Sequence, residues 1–407
     1  MTRLTKHLRN GALGLMLCLG TPGCGDEHHK ANGVDPDSGV DAADAGAAGD
    51  AGPEGDASLP WGDTSTLQKA LDGLAASELT EMDILGIGIT VQLDDGRVFE
   101  SAAGHIGPDA DEAEYDVRAT KQVIGSITKL YTAAMLMQLA EDGKVSLDDT
   151  ADRWFTIPKA DAITVRMLLN HTSGLNDCLG GMTAEDYKRA WTPQQLVERA
   201  VKLGAWTAPG SKLARYSNTN FVLLAMIVEA ETGKSWSQNV VERITKPLGL
   251  THTSYAGDAK GRANLVDGWV HDDAGWHGAL AQVDPTIGWG MGALVSTNHE
   301  LAQFTKALLT GALFSSPDTL AKMLDFSVEM DPASLAPGEP PQRIGLCITR
   351  YEVDDLQLDG HIGHILGYNT ATFRDPKTKA LITVTANTDN AITGLTAIKV
   401  AQYLRAR

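Results

Sequence analysis

Two residues in the stretch GSITKLYTAAMLMQ, residues 125–138, have types and spacing suited to chemistry: Ser126 and Lys129. Three positions apart on a helix they share a face one turn apart, so an amine can reach the hydroxyl. The helix is apolar almost all the way round, which places it in a core, where a lysine is almost never found without a partner. Burial disfavours the ammonium form and lowers the lysine pKa, which makes a base; an acidic neighbour would push it back. Ser126 stands at the start of the helix, where the positive end of the dipole favours an oxyanion. A serine nucleophile beside an amine base is an arrangement for acyl transfer.

Two further groups follow in the chain. Tyr216-Ser217-Asn218 comes after a Pro-Gly turn and just before the apolar run FVLLAMIVE, so it sits on a loop at a helix amino terminus. Taken alone, Ser217 or Asn218 also reads as a helix cap and Tyr216 as a core aromatic. His361-Ile362-Gly363 falls between two probable strands, and Gly363 permits close approach of a ligand or another backbone. On its own this is equally a turn containing a histidine. His361 and His364, three apart on a strand, point to opposite faces and cannot grip one ion without a bend. The other histidines lack zinc-ligand spacing, so no metal or other cofactor is expected. Gly-x-Ser-x-Gly at a strand-to-helix turn is absent, which removes the other common serine hydrolase signature.

The elements that must position these groups are legible in outline. A helix is predicted near residues 64–77, then a hairpin through ILGIGITVQLDDGRVFESAAG with its turn at Asp95-Gly96, then the Ser126 helix ending near Gly143. Residues 144–310 read as mostly helical with long loops. Strands return in RIGLCITRYEV, GYNTATFR and ALITVTANT, before a closing helix. The expected fold is mixed α+β: an antiparallel sheet assembled from both ends of the chain, with flanking helices and an inserted, mainly helical subdomain.

The chain has 407 residues, 43% hydrophobic, enough for a sizeable core. A net charge of -18 without a basic cluster argues against nucleic acid as a partner. Residues 1–24 have a basic start at Arg3, Lys6 and Arg9, an apolar run and small residues, the layout of a secretory signal. Cys24 resembles the lipidated cysteine of bacterial lipoproteins, although Thr21 and Pro22 depart from the usual approach; ordinary cleavage nearby is the alternative. Residues 25–60, rich in Asp, Ala and Gly, read as a flexible tether with a span on the order of 30 Å. The folded domain is then 61–407, exported to the cell envelope and touching membrane only through a lipid at Cys24. Cys178 and Cys347 remain, as a disulfide or as two separate buried thiols.

In this order, Ser126-Ile-Thr-Lys129, Tyr216-Ser-Asn218 and His361-Ile-Gly363 resemble the three motifs of the serine penicillin-recognising enzymes, which include class C β-lactamases and D-alanyl-D-alanine carboxypeptidases. Stretches such as ITVRMLLNHTSGL, KPLGLTHTSY and GHIGHILGYNT extend the similarity from about residue 80 to 405. The resemblance implies Ser126 as the nucleophile and Lys129 and Tyr216 as a coupled base pair, the phenol lowered by the nearby cation. Asn218 would hold the substrate amide and orient Lys129. The Ser126 and His364 N–H groups would form the oxyanion hole, on an edge strand, and His361 would supply polarity or positive charge. The third motif is most like the carboxypeptidase branch, which implies cleavage of peptidoglycan-type peptides; an esterase or D-amino-acid amidase, a β-lactamase and an inert penicillin- or peptidoglycan-binding sensor are the alternatives. Those carboxypeptidases carry Thr or Ser where this chain has Ile362. Losing that hydrogen bond to a carboxylate costs about 1.5–3 kcal/mol. Arg350 on the preceding strand is the candidate to compensate.

Overall fold

Ile87, Ile89 and Val91 alternate with Gly88 and Thr90, so β1 (Gly86–Gln92) presents one apolar face and one small, polar face. Both are buried. The computed structural model describes residues 66–109, 111–335 and 340–407; the signal segment, Cys24 and the tether lie outside the described residues. The apolar face of β1 packs on α1 (Leu67–Met82), which enters through the Thr66 side chain capping the Lys69 amide. α1 begins and ends later than the sequence suggests.

β1 pairs with β2 (Val98–Gly104) in the expected hairpin, and the next segments are β3 (Gln122–Val123) and the long helix α2 (Thr128–Glu141). The middle of the chain supplies the short helix α3 (Val165–Leu169), β4 (Leu213–Ala214), α4 (Asn218–Thr232), β5 (Ser254–Tyr255), β6 (Leu294–Ser296) and α5 (Asn298–Leu309). After these come β7 (Val328–Met330), β8 (Gln342–Ile344), β9 (Thr349–Val353), β10 (Leu356–Ile365), β11 (Tyr368–Arg374), β12 (Leu381–Ala386) and the closing helix α6 (Thr393–Arg405).

The main sheet runs β2-β1-β12-β11-β10-β9-β8-β7-β4, with β1 from the first part of the domain lying beside β12 from its end. All its pairings are antiparallel except β4 with β7. This is an α+β fold, one sheet closed from both ends of the chain around a mainly helical insert. One sheet face carries α1 and α6; the other meets the insert, whose core centres on α2 and α4. The insert also contains a small sheet, β3-β6-β5, that the mostly helical pattern does not show, because strands of two or three residues carry no readable periodicity.

Asn298 joins the layers. At the start of α5 its Oδ1 accepts from the Thr90 hydroxyl at 2.5 Å, while Nδ2 donates to the Gly88 carbonyl at 3.0 Å and the Thr385 hydroxyl at 3.0 Å. The small face of β1 leaves room for this fully buried amide. Asn298→Ala strands several buried polar groups at once. Urea denaturation should show a loss of about 2–3 kcal/mol; a loss below about 0.5 kcal/mol would show that the layers are held elsewhere.

Candidate active site

From Thr120 to Met137 every residue is buried except Ser126. It sits in a single 3-10 turn, Gly125–Ile127, that leads into α2. Gly125 has φ +53°, and a Cβ there would lie 2.8 Å from the His364 nitrogen. A Cβ on Gly363 would lie 2.2 Å from the Ile124 carbonyl oxygen. The two glycines therefore let β10 pass directly over the serine turn, with the His364 backbone beside Ser126. The strand can do this because it is paired to β9 only through Gly360. β10 is thus interior at its start and an edge only from His361 onward, rather than an edge strand throughout.

Lys129 is completely buried. Its Nζ lies 2.9 Å from Ser126 Oγ and 2.6 Å from the carbonyl oxygen of Met291, which belongs to the short helix Trp289–Gly292. It also stands 5.1 Å from the centre of the Tyr216 ring. Burial pulls its pKa down to about 8, against the opposing pull of the Asp177 carboxylate. With one N–H donated to Met291, a neutral Nζ keeps a lone pair for the serine proton.

Tyr216 comes to the same place on the loop before α4, and Ser126 is the hydrogen-bonding neighbour of its phenol. Burial raises this phenol well above its ordinary value, outweighing that hydrogen bond. The expectation of a phenol lowered by the cation is corrected: burial moves Tyr216 the other way, while it moves Lys129 toward its neutral form. His361 is also buried, 6.2 Å from Tyr216 between ring centres. Burial, with the Lys129 charge adding to it, lowers its pKa to about 4. Its Nδ1 donates to the Ile362 carbonyl, leaving Nε2 as an acceptor. It contributes polarity and no positive charge.

Three other expectations change. Asn218 does not touch Lys129 through a hydrogen bond; its Nδ2 and backbone N–H both donate to Asp177 Oδ2, at 2.9 and 3.3 Å. That contact turns the amide so that its carbonyl oxygen is the free end. Ile362 packs with the core under α6, and its Cγ2 lies 3.6 Å from a Cβ built on Gly394, so it is a packing residue. Arg350 is held in a two-pronged ion pair with Asp359, at 2.6 and 2.8 Å, over the ring of Phe326. Its donors face a carboxylate already in place, and it is not free for a substrate. The cross-strand register Arg350↔Asp359 explains this, and a single sequence does not show it. Cys178 and Cys347 are separate buried thiols.

Two residues given no role in the sequence reading belong to the site. Asp177 holds Asn218, and His171 stacks on Tyr216 with ring centres 4.5 Å apart. Their signal was the polar run Asn170-His-Thr-Ser-Gly-Leu-Asn-Asp177 directly after the apolar helix α3: residues 170–173 are polar yet buried.

A solvent-reaching serine in contact with a buried lysine, roofed by a strand of this sheet and flanked by a tyrosine loop, defines a serine hydrolase of the penicillin-recognising fold. The chain belongs to the Beta-lactamase family, whose sequence model matches residues 71–404. It is 28% identical over 219 residues to the teichoic acid D-alanine hydrolase of Staphylococcus aureus, a match covering 52% of each chain. The chain thus spans about half the length of the curated relatives it matches. Among solved structures it resembles the D-amino acid amidase of Ochrobactrum anthropi SV3, with TM-score 0.75 and 25% identity over 84% of this chain and 99% of that one. It also resembles a D-stereospecific amidohydrolase from Streptomyces sp., with TM-score 0.67 and 26% identity over 83% and 98%.

Gly363→Ala tests the strand crossing. The methyl must push β10 off the serine turn and carry the His364 amide with it. Turnover should fall roughly 100- to 1000-fold, the usual effect of losing one oxyanion donor. Turnover within threefold of the native chain would show that the crossing does not set the oxyanion geometry.

Proposed function

We propose that the protein hydrolyses esters or amides of D-configured amino acids through an acyl-enzyme on Ser126. The observation that carries the chemistry is the 2.9 Å contact between Ser126 Oγ and the buried Lys129 Nζ. Neutral Lys129 takes the Ser126 proton as Oγ attacks the substrate carbonyl. The oxyanion is held by the Ser126 and His364 N–H groups. The ammonium then returns the proton to the leaving group through the Tyr216 hydroxyl, and the bond to the leaving group breaks. Water repeats the sequence on the ester carbonyl, regenerating Ser126 and releasing the acid. Asn218, turned by Asp177, offers its carbonyl oxygen to an N–H of the bound acyl group.

The choice of substrate rests on the leaving group. Peptidoglycan carboxypeptidase action requires recognition of a terminal carboxylate, but Ile362 lacks the hydroxyl that such enzymes carry at its position and packs with the core, and Arg350, the candidate to compensate, is paired with Asp359. A neutral leaving group, an alcohol or ammonia, fits this cleft better. The named relatives support the acyl side, since each acts on a D-amino acid or is D-stereospecific by name. Past His364 the chain encloses a cavity of about 280 Å³, lined by Val123, Ala256, Ala293, Leu280, Ile365 and Tyr368. The leaving group departs toward its proton donors, Lys129 and Tyr216. This cavity, mostly apolar but with Arg262 in its lining, is the candidate site for an apolar acyl side chain. An exported chain tethered at Cys24 would meet such substrates at the cell envelope.

The test is a set of p-nitrophenyl esters and amides of D- and L-phenylalanine and D-alanine, beside D-alanyl-D-alanine, followed by intact mass. The proposal expects D-selective turnover, a Ser126 adduct missing in Ser126→Ala, and a rate loss of at least about 10⁴-fold in that variant. Acylation should rise with pH and level off above about 8, because only neutral Lys129 accepts the proton. Release of D-alanine from the dipeptide at a higher kcat/KM than from the ester would overturn the neutral-leaving-group reading.

A further inference from the structure

We infer that His171 is a positioning residue for Tyr216, acting through the acceptor atom Nδ1. This inference rests on the reading that Tyr216 passes the proton between Lys129 and the leaving group. His171 follows α3 and holds a left-handed backbone, φ +59°, which side chains other than glycine adopt rarely. It is almost fully buried, and residues in such conformations persist only where the surrounding structure demands them.

What demands it is the tyrosine loop. His171 accepts on both sides of Tyr216: its carbonyl takes the Arg215 N–H at 2.9 Å, and its Nδ1 takes the Ser217 N–H at 3.1 Å. The ring lies on the Tyr216 ring between these two anchors. Asn220, one turn further into α4, contributes its Nδ2 to the same Nδ1 at 3.1 Å, and its Oδ1 accepts from the Ser173 hydroxyl. The Asn176 carbonyl takes the Ser217 and Thr219 hydroxyls. Segment 171–177 is thus a template against which residues 215–220 are laid, and His171 holds the part that carries the phenol.

The hydrogen bonds also fix the tautomer. A backbone N–H can only donate, so Nδ1 carries no proton and Nε2 does. Protonation of Nδ1 would eject the Ser217 amide. Burial, with the charge on Lys129 adding to it, holds the ring neutral. An acceptor that stays an acceptor throughout the reaction keeps the tyrosine fixed while protons move past it.

The test compares His171→Asn and His171→Phe in the full chain. Asn places an acceptor oxygen near the Nδ1 position and tolerates the left-handed backbone. Phe keeps a ring on Tyr216 and removes the acceptor. The burst of p-nitrophenol from an ester of D-phenylalanine gives the acylation rate constant, and its amplitude counts competent sites. For Phe the inference expects the acylation rate constant and kcat to fall about 100-fold per competent site, with KM within about threefold. For Asn it expects recovery to within about tenfold of the native chain. Equal losses in both variants, or losses confined to burst amplitude, would overturn it, the latter because they report folding alone. If the native chain shows neither a burst nor a Ser126 adduct on quenching and intact mass, the acyl-enzyme reading fails first, and the two failures are told apart.

Discussion

The structure turns on one unfavourable act, the burial of the Lys129 amine. Placing an ammonium in this core costs several kcal/mol, roughly, unless a partner is supplied or the proton is given up. The fold supplies only partial compensation: one backbone carbonyl from Met291, one serine hydroxyl and a carboxylate, Asp177, that stands off behind Asn218. The amine therefore settles at a pKa of about 8, where roughly a tenth of it is neutral at pH 7. A closer carboxylate would raise the pKa and shrink that neutral fraction. A fully apolar setting would leave nothing to align it with Ser126.

The remaining architecture serves this compromise. An apolar α2 is needed to keep water from the amine, and that helix must be enclosed by α4 and by the Trp289–Gly292 turn, whose Met291 carbonyl accepts from Lys129. The sheet must then approach the serine from the open side, which the glycines at 125 and 363 allow. Tyr216, His361 and His171 gather around the amine, and burial keeps all three neutral at physiological pH. On the mechanism proposed above, the proton that moves is the one passed among Ser126, Lys129 and Tyr216.

Much of this was legible in the sequence, and the limits have physical causes. Ser126 and Lys129 meet because helix geometry alone sets their distance, and the α+β order followed from strand patterns at the two ends of the chain. Tyr216 and His361 were recognised through motif resemblance, but their charge states depend on how deeply three separate segments bury them. Arg350 and Ile362 went astray for a related reason. Which side of a strand a residue faces, and whether a cross-strand acid such as Asp359 has already claimed it, is settled by register. His171 and Asp177 went unassigned because they act on neighbours 41 to 46 residues away, through backbone amides and one side-chain amide that no sequence spacing marks.

The most direct test is the titration of Lys129 itself, followed by the 13Cε resonance of lysine-labelled protein, with Lys129→Met assigning the signal. The account predicts an apparent pKa near 8 in the free enzyme. A lysine that stays charged to above about 10, as an ordinary side chain does, would contradict the claim that burial makes this amine the base.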